Sequence, residues 1–160
     1  MTNDDRVVAL GLALPPVPRP VGGYVNAVRV GELLFLSGHA PMGTNGVPVL
    51  GKLGASLDVA AGFAAARLAG LGVLATLCCE LGSLDRVRRM VRVFGVVNAT
   101  PEFTAQTQVI NGASELFLEV FGDAGRHARL AVGVASLPFD IALEVEAIVQ
   151  VWGDGEVRSC

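Results

Sequence analysis

The stretch ARLAVGVASLPFDIALEVEAI, residues 128–148, decides the fold of this 160-residue chain. Pro138 and Asp140 separate two apolar runs, and β-branched residues recur in both runs, as they do in strands. In the second run Glu144 and Glu146 alternate with apolar side chains, so both carboxylates face one side of a strand. The stretch therefore predicts two consecutive strands, the second with one apolar and one acidic face.

Three further strands are predicted upstream. Two form a hairpin, YVNAVRV and LLFLSGHAP, joined by a turn at Gly31, and the third is RVRRMVRVFGVVN. A helix is predicted over residues 57–81, which are small and apolar nearly all round, with Ser56 as its N-cap. A second helix is predicted over residues 101–121, with Thr100 as N-cap and a proline in the first turn.

The order ββαβαββ predicts one α+β domain, residues 1–160, with two helices on one face of a sheet. We expect residues 1–20 to form an extended lead-in, because they hold four prolines, and residues 153–160 to form a tail. A second copy of the chain is the available cover for the other sheet face, so we expect a homo-oligomer. We expect this other face to carry apolar residues such as Val132, Val134, Leu143 and Val145.

Composition and charge exclude several classes of protein. Hydrophobic residues make up 52% of the chain and charged residues 17%, which is too apolar for a disordered chain. The uncharged run 68–79 is shorter than the ~18–20 residues that span a bilayer, so no membrane partner is expected. The net charge of −3 gives the chain no overall positive field, which argues against a nucleic-acid partner. One local cluster is either a solvated or subunit-contacting strand surface or an anion or RNA patch: Arg86, Arg88, Arg89 and Arg92.

The cysteines and the N-terminus indicate the compartment. Cys78, Cys79 and Cys160 lack the spacing of a zinc site, so no metal is expected. The acidic start MTNDDR argues against a cleaved signal peptide. Both observations favour a reducing cytoplasm.

Four side chains are candidates for chemistry. His39 ends a strand and His127 enters one, and hydrogen bonding in the fold competes with catalysis for both. Arg129 opens an apolar strand, where its guanidinium either grips a carboxylate through two hydrogen bonds or forms an interface salt bridge. Glu144 is either solvated or paired with an arginine. If it is half-buried beside Arg129, it can order a water or pass a proton.

Three segments resemble the RidA family, also called YjgF/YER057c/UK114. The stretch ARLAVGVASLPFDIALEVEAI resembles its C-terminal signature, in which an Arg opens a strand and V-x-x-L-P is followed by E-x-E-A. GGYVNAVRVGELLFLSGHAP resembles its N-terminal hairpin, and VINGASELFLEVFG resembles its second-helix segment. The resemblance covers about residues 20–150, and the chain is identified as a member of a longer subgroup.

The resemblance implies a chorismate-mutase-like fold in a homotrimeric barrel, with active sites in the clefts between subunits. It implies hydrolysis of reactive 2-imino or enamine acids to 2-keto acids and ammonia, with no cofactor because the imine carbon is already electrophilic. Arg129 then binds the substrate carboxylate and Glu144 positions the water. The residues expected to line the cleft and bind the substrate are Tyr24, Ser37, Gly38, Asn111 and Ala131.

One position departs from the family pattern. Members best known for imine hydrolysis have a Cys two residues after the Arg, where this chain has Ala131, which leaves a backbone N–H but no thiol. Two alternatives therefore stand beside the deaminase. One is a trimeric small-molecule-binding or regulatory protein without turnover, and the other, less favoured because of the net charge, is an endoribonuclease.

Overall fold

The computed structural model describes residues 1–153 and has a five-stranded sheet with two long helices packed on one face. A third, short helix precedes the first strand. The helices are α1 (Asn3–Ala9), α2 (Val59–Leu81) and α3 (Gln106–Phe121). The strands are β1 (Ala27–Val30), β2 (Leu33–His39), β3 (Val87–Asn98), β4 (Ala128–Val134) and β5 (Leu143–Val151). From β1 onward the predicted order ββαβαββ is confirmed.

The strand order across the sheet is β1-β2-β5-β3-β4. Strands β3 and β4 pair in parallel, and every other neighbouring pair is antiparallel. The last strand of the chain therefore lies in the middle of the sheet, and β4 forms one edge. This order places the start of β4 beside α3 and the start of β5 beside the end of β2.

Strand β5 alternates as the sequence predicts. Its odd-numbered residues are buried under the helices, and Glu144 and Glu146 share the opposite face. Leu143 and Val145 therefore belong to the helix-covered core, which corrects their assignment to an uncovered face. Val132 pairs beside Val96 on the face without helices, as predicted.

Helix α2 is the core helix of the domain. By length and composition it could cross a membrane, but 61% of its most apolar window is buried inside the fold. It packs closely on α3 because small residues line the contact: a Cβ at Gly112 would collide with the backbone carbonyl of Phe63. On the α2 side Gly70 is also close, since a Cβ there would lie 2.9 Å from Leu116 Cδ2 of α3.

Both predicted N-caps are wrong. Helix α2 is capped by Asp58, whose Oδ1 accepts a hydrogen bond from Ala61 N at 2.8 Å, while Ser56 Oγ accepts from Lys52 N at 3.1 Å instead. Helix α3 begins at Gln106, about one turn later than predicted, after Ala105, which makes no side-chain cap. Pro101 lies in an exposed turn. Sequence alone does not say which of several oxygen-bearing residues before a helix accepts from its first turn.

The N-terminal lead-in is not wholly extended, because residues 3–9 form α1. A capping box between Thr2 and Asp5 starts this helix. The helix docks through Asn3, whose backbone N donates to Asp85 Oδ1 at 2.6 Å, and through Arg6, whose Nη1 donates to Val120 O at 3.1 Å. Residues 154–160, with Cys160 and nearly all of the predicted tail, lie outside the described residues.

The sheet face away from the helices carries apolar side chains beside Glu144 and Glu146 and is uncovered within one chain. Phe35 is 40% exposed and Leu130 48% exposed, on strands at opposite sides of the sheet. Exposed valines on β1 and partly buried residues on β3, β4 and β5 extend the same face: Val28, Val30, Phe94, Val96, Val132 and Ile148. A patch of this kind is typical of an interface between proteins.

Candidate functional site

The predicted site residues lie in two separate groups within one chain. The first group surrounds Arg129 on β4, where the side chain turns toward α3. Its Nη1 donates to Asn111 Oδ1 at 2.7 Å and to Ser114 Oγ at 3.1 Å. Within residues 1–153, no carboxylate pairs with this guanidinium. Arg129 is therefore a fixed cation held by neutral groups and available to an anion.

His127 belongs to the same group through a chain of hydrogen bonds. Its Nδ1 lies 2.6 Å from Gly125 O, which can only accept, so Nδ1 carries the proton. Its Nε2 then accepts from Ser114 Oγ at 3.0 Å. Burial and the charge of Arg129 both lower the pKa of His127. The neutral ring thus orients Ser114 toward Arg129. Both ring nitrogens of His127 are therefore used in hydrogen bonds within the fold.

The second group surrounds Glu144 at the start of β5. A cavity of about 370 Å³ lies beside its carboxylate, and we call it the Glu144 cavity. Burial raises the pKa of Glu144, and the negative charge of Glu146 raises it further. A carboxyl group with a raised pKa is a better proton acceptor near neutral pH than an ordinary glutamate. The cavity is lined by Pro15, Pro16, Pro18, Val21, Tyr24, Gly38, His39, Ala40, Met42, Gly72, Pro138, Phe139, Ile141 and Glu144.

A bulge at the end of β2 gives Glu144 its space. The register with β5 shifts between Leu36 and His39, so the alternation of faces breaks there. His39 then points into the core, while Gly38 lies against the Glu144 side chain. A Cβ at residue 38 would collide with the carboxylate, so only glycine at this position leaves room for Glu144.

His39 is a structural anchor of the second group. Its Nδ1 donates to Ser37 O at 2.7 Å, and its Nε2 accepts from Thr76 Oγ1 of α2 at 2.8 Å. Burial lowers its pKa, so the ring is neutral. Ser37 Oγ donates to Val25 O at 2.6 Å, which ties β2 to the segment before β1. Ser37 is thus placed beside the cavity but does not line it.

Arg129 and Glu144 do not meet in one chain. Arg129 pairs laterally with Val93, and Val93 pairs with Ala147 of β5, so all three share the helix face of the sheet. Glu144 lies on the opposite face. Ala131 follows Arg129 on the helix face, beside Gly95. The hypothesis of a carboxylate beside Arg129 is therefore not met inside a single copy.

A buried asparagine that sequence reasoning missed holds the loop before β5. Asn98 is fully buried, and its Nδ2 lies 3.0 Å from Asp140 Oδ1 and 3.2 Å from Ile141 O. Its Oδ1 accepts from Lys52 Nζ at 2.6 Å. In the sequence, the only sign of this role is that Asn98 is a polar residue at the end of an apolar strand. That position does not identify its hydrogen-bond partners.

The loop that Asn98 holds is strained beside the Glu144 cavity. Phe139 and Asp140 both have φ of 58°, in the left-handed region that residues other than glycine rarely adopt. Such conformations cost about 1–3 kcal/mol each and cluster at binding and active sites. The ring of Phe139 is 82% exposed and lines the cavity.

Within residues 1–153, no three His, Cys, Asp or Glu side chains are grouped to hold a metal ion. What the two groups offer instead is an anion-binding guanidinium and a half-buried carboxylate. These are the parts needed to bind a small carboxylate and to activate water, provided that they meet.

Comparisons with known proteins agree with this fold. The chain is 49% identical over 143 residues to Protein TCP17 of Trypanosoma cruzi, covering 89% of each sequence. It is similar to the crystal structure of Atu1372, of unknown function, from Agrobacterium tumefaciens, with 41% identity, a TM-score of 0.86 and 94% coverage of both chains. It is also similar to the crystal structure titled as a "putative endoribonuclease" from Shewanella oneidensis, with 36% identity and a TM-score of 0.91, covering 94% of this chain and all of the other.

Residues 4–149 match the family described as "YjgF/chorismate mutase-like, putative endoribonuclease". The match spans every strand described here except the last two residues of β5. It includes Arg129, Glu144 and the other predicted site residues. The chain therefore belongs to the YjgF/chorismate mutase-like family, the RidA family that its C-terminal stretch resembles.

Proposed function

We propose that this protein is a cofactor-free hydrolytic deaminase that converts reactive 2-imino or enamine acids to 2-keto acids and ammonia. The observation that carries the proposal is Arg129, a guanidinium fixed by Asn111 and Ser114 and without a carboxylate partner among residues 1–153. A planar guanidinium binds the carboxylate of a small acid through two hydrogen bonds, which fixes the distance of C2 from the arginine.

The proposed site forms between two copies of the chain. Arg129 lies on an edge strand and faces the helices, whereas Glu144 lies on the uncovered face, so a neighbouring copy must bring the second residue. The uncovered apolar face, which includes Phe35 and Leu130, supports such an assembly. A closed ring of three copies would cover this face in every subunit and create three equivalent clefts.

Glu144 supplies the proton transfers. Its carboxylate accepts a proton from water as the water oxygen bonds to C2 of the protonated imine, giving a tetrahedral carbinolamine. The same carboxyl group returns the proton to nitrogen. As the C–N bond breaks and ammonia leaves, the carboxylate takes the hydroxyl proton and the C2 carbonyl forms, and this proton then passes to ammonia to give ammonium. The raised pKa of Glu144 suits a group that both accepts and returns a proton. Ala131 leaves this sequence intact, because no step needs a thiol.

Two observations argue against ribonuclease chemistry. His39 and His127 lie in different groups, and each has both ring nitrogens engaged, so they do not form an acid–base pair in one chain. Two arginines of the basic cluster contact aromatic rings of the protein itself: Arg88 lies 4.9 Å from the Trp152 ring and Arg92 lies 5.6 Å from the Phe94 ring. This supports the interpretation of the cluster as a strand surface.

We place the reaction in the cytoplasm, where Cys78 and Cys79 remain free thiols.

The test is ammonia release from imines that an amino-acid oxidase generates in the same tube. We expect the wild type to accelerate it, and Arg129→Ala and Glu144→Gln to abolish the acceleration. Arg67→Ala is the matched control, because Arg67 pairs with Glu119 on the outer helices, away from both groups. Unchanged release in Arg129→Ala contradicts the proposal. Stabilisation of the wild type by 2-keto acids without any acceleration supports the binding protein without turnover.

A further inference from the structure

The lining of the Glu144 cavity is mostly apolar. The side-chain polar groups along it belong to Glu144, Tyr24 and His39, and both ring nitrogens of His39 are already hydrogen-bonded within the protein. The remaining lining is proline, aliphatic, glycine, methionine and phenylalanine. A charged or polar group placed there would lose its hydration and gain no partner.

One wall of the cavity comes from residues 15–21, which we call the proline strap. Three prolines and Val21 of the strap line the cavity. The strap is held by Asn26, whose Nδ2 donates to Pro18 O at 2.8 Å, and by Val21 N, which lies 3.4 Å from Tyr24 Oη. These bonds fix an apolar wall that lies before the first strand.

Another part of the wall is the exposed ring of Phe139. A large apolar side chain that is 82% exposed is unfavourable unless something packs on it, and this one stands on a backbone held at positive φ. The buried Asn98 holds Asp140, and Gly51 N donates to Asp140 O at 2.8 Å, so the turn is fixed from both sides. The protein therefore keeps this ring beside the cavity against the preference of the backbone.

We infer that Phe139 and the proline strap form the specificity pocket for the substrate side chain, and that the substrate is a 2-imino acid with a bulky apolar side chain. In the proposed reaction, C2 of the substrate must lie beside the Glu144 carboxylate. The substrate side chain, which is attached to C2, then occupies the adjoining apolar part of the same cavity. A cavity of about 370 Å³ accommodates a branched aliphatic or aromatic side chain. This inference rests on the proposed function, since it assigns the reacting carbon to Glu144.

The test compares imines derived from phenylalanine, leucine and alanine. Phe139→Asn removes the ring but retains a residue that tolerates the left-handed region, so the turn is preserved. Val8→Asn is the matched control, because Val8 is 80% exposed on α1, remote from the cavity. We expect the wild type to prefer the phenylalanine and leucine imines. Phe139→Asn should lower kcat/KM for them by about tenfold or more and leave the alanine imine nearly unchanged.

The outcomes separate this inference from the proposed function. Hydrolysis of all three imines with equal kcat/KM, or an equal loss for all three in Phe139→Asn, overturns the specificity pocket and leaves the deaminase standing. If no imine is hydrolysed, the deaminase fails, and binding of the corresponding keto acids tests the pocket by calorimetry. Tighter binding of phenylpyruvate than of pyruvate, lost in Phe139→Asn, then supports the pocket, and equal or absent binding overturns it.

Discussion

Gly38 lies so close to the carboxylate of Glu144 that a Cβ at residue 38 would overlap Glu144 Oε1. The bulge that ends β2 creates this contact, because it turns His39 into the core and leaves the glycine facing the acid. The position of Glu144 therefore depends on a missing side chain in a neighbouring strand.

Replacing Gly38 by alanine should displace the Glu144 carboxylate without unfolding the protein. The atoms that a new Cβ would meet belong to the flexible side chain of Glu144. We therefore expect the substitution to lower activity more than it lowers the free energy of unfolding. Since displacement of a reacting group by about 1 Å can cost about 100-fold in rate, we expect a large loss of kcat in Gly38→Ala. Steady-state kinetics and the circular dichroism spectrum measure the two effects.

Gly23→Ala is the control for this change. A Cβ at Gly23 would meet nothing within 4 Å, and its φ is not positive. Full activity in Gly38→Ala would show that Glu144 needs no such space.

The pKa of Glu144 gives the stability a definite pH dependence. The folded pKa lies above the ordinary value of 4.5, because burial and Glu146 disfavour the charged form. The folded state therefore binds more protons than the unfolded state between these two pKa values, and stability falls as pH rises through that window. Glu144→Gln should unfold at higher urea concentration than the wild type at pH 7, and this advantage should vanish below pH 4.5.

The matched control is Glu102→Gln, in an exposed turn. It should leave the urea midpoint nearly unchanged at both pH values. A Glu144→Gln variant less stable than the wild type at pH 7 would mean that the carboxylate has a stabilising partner.

Asn98 should be important for stability, because its side chain joins three segments. Asn98→Ala removes hydrogen bonds to Lys52, Asp140 and Ile141 and leaves buried polar groups without partners. We expect a decrease of about 2–4 kcal/mol in the free energy of unfolding, measured in urea. Asn45→Ala, in an exposed turn, should cost about 0.5 kcal/mol or less. Equal effects of the two substitutions would contradict the account of this loop.

The features that were predictable from sequence are periodic ones. The alternation around Glu144 and Glu146 gave the face of β5, since a strand repeats every two residues. The choice of Asp58 over Ser56 as cap was not predictable, because both residues can accept from a first helical turn and tertiary contacts decide between them.

The separation of Arg129 from Glu144 was not predictable for a different reason. Which face each residue occupies depends on the register of β4 with β3 and of β3 with β5. Register between strands distant in sequence leaves no periodic signal in either strand, and a shift of one residue reverses the face. The network of Asn98 is equally long-range, since Lys52 and Asp140 lie on either side of it in the chain.

The uncovered sheet face should hold the copies together. Phe35→Glu places a charge on this face, where a neighbouring copy would bury it without a partner. We expect light scattering to give a trimer for the wild type and a monomer for the variant, and we expect the variant to lack deaminase activity. Val47→Glu is the control, since Val47 is exposed in the loop after β2, outside the strands of the sheet. A trimeric Phe35→Glu variant would place the interface elsewhere.

The most direct test of a site shared between copies is complementation between two inactive variants. Arg129→Ala and Glu144→Gln are co-expressed in equal amounts, so that mixed assemblies form during folding. If Arg129 of one copy works with Glu144 of its neighbour, about a quarter of the clefts in a random mixture contain both native residues. We predict that the co-expressed mixture recovers about a quarter of wild-type ammonia release, while each variant alone has none. Mixed assemblies as inactive as the separate variants would contradict the account.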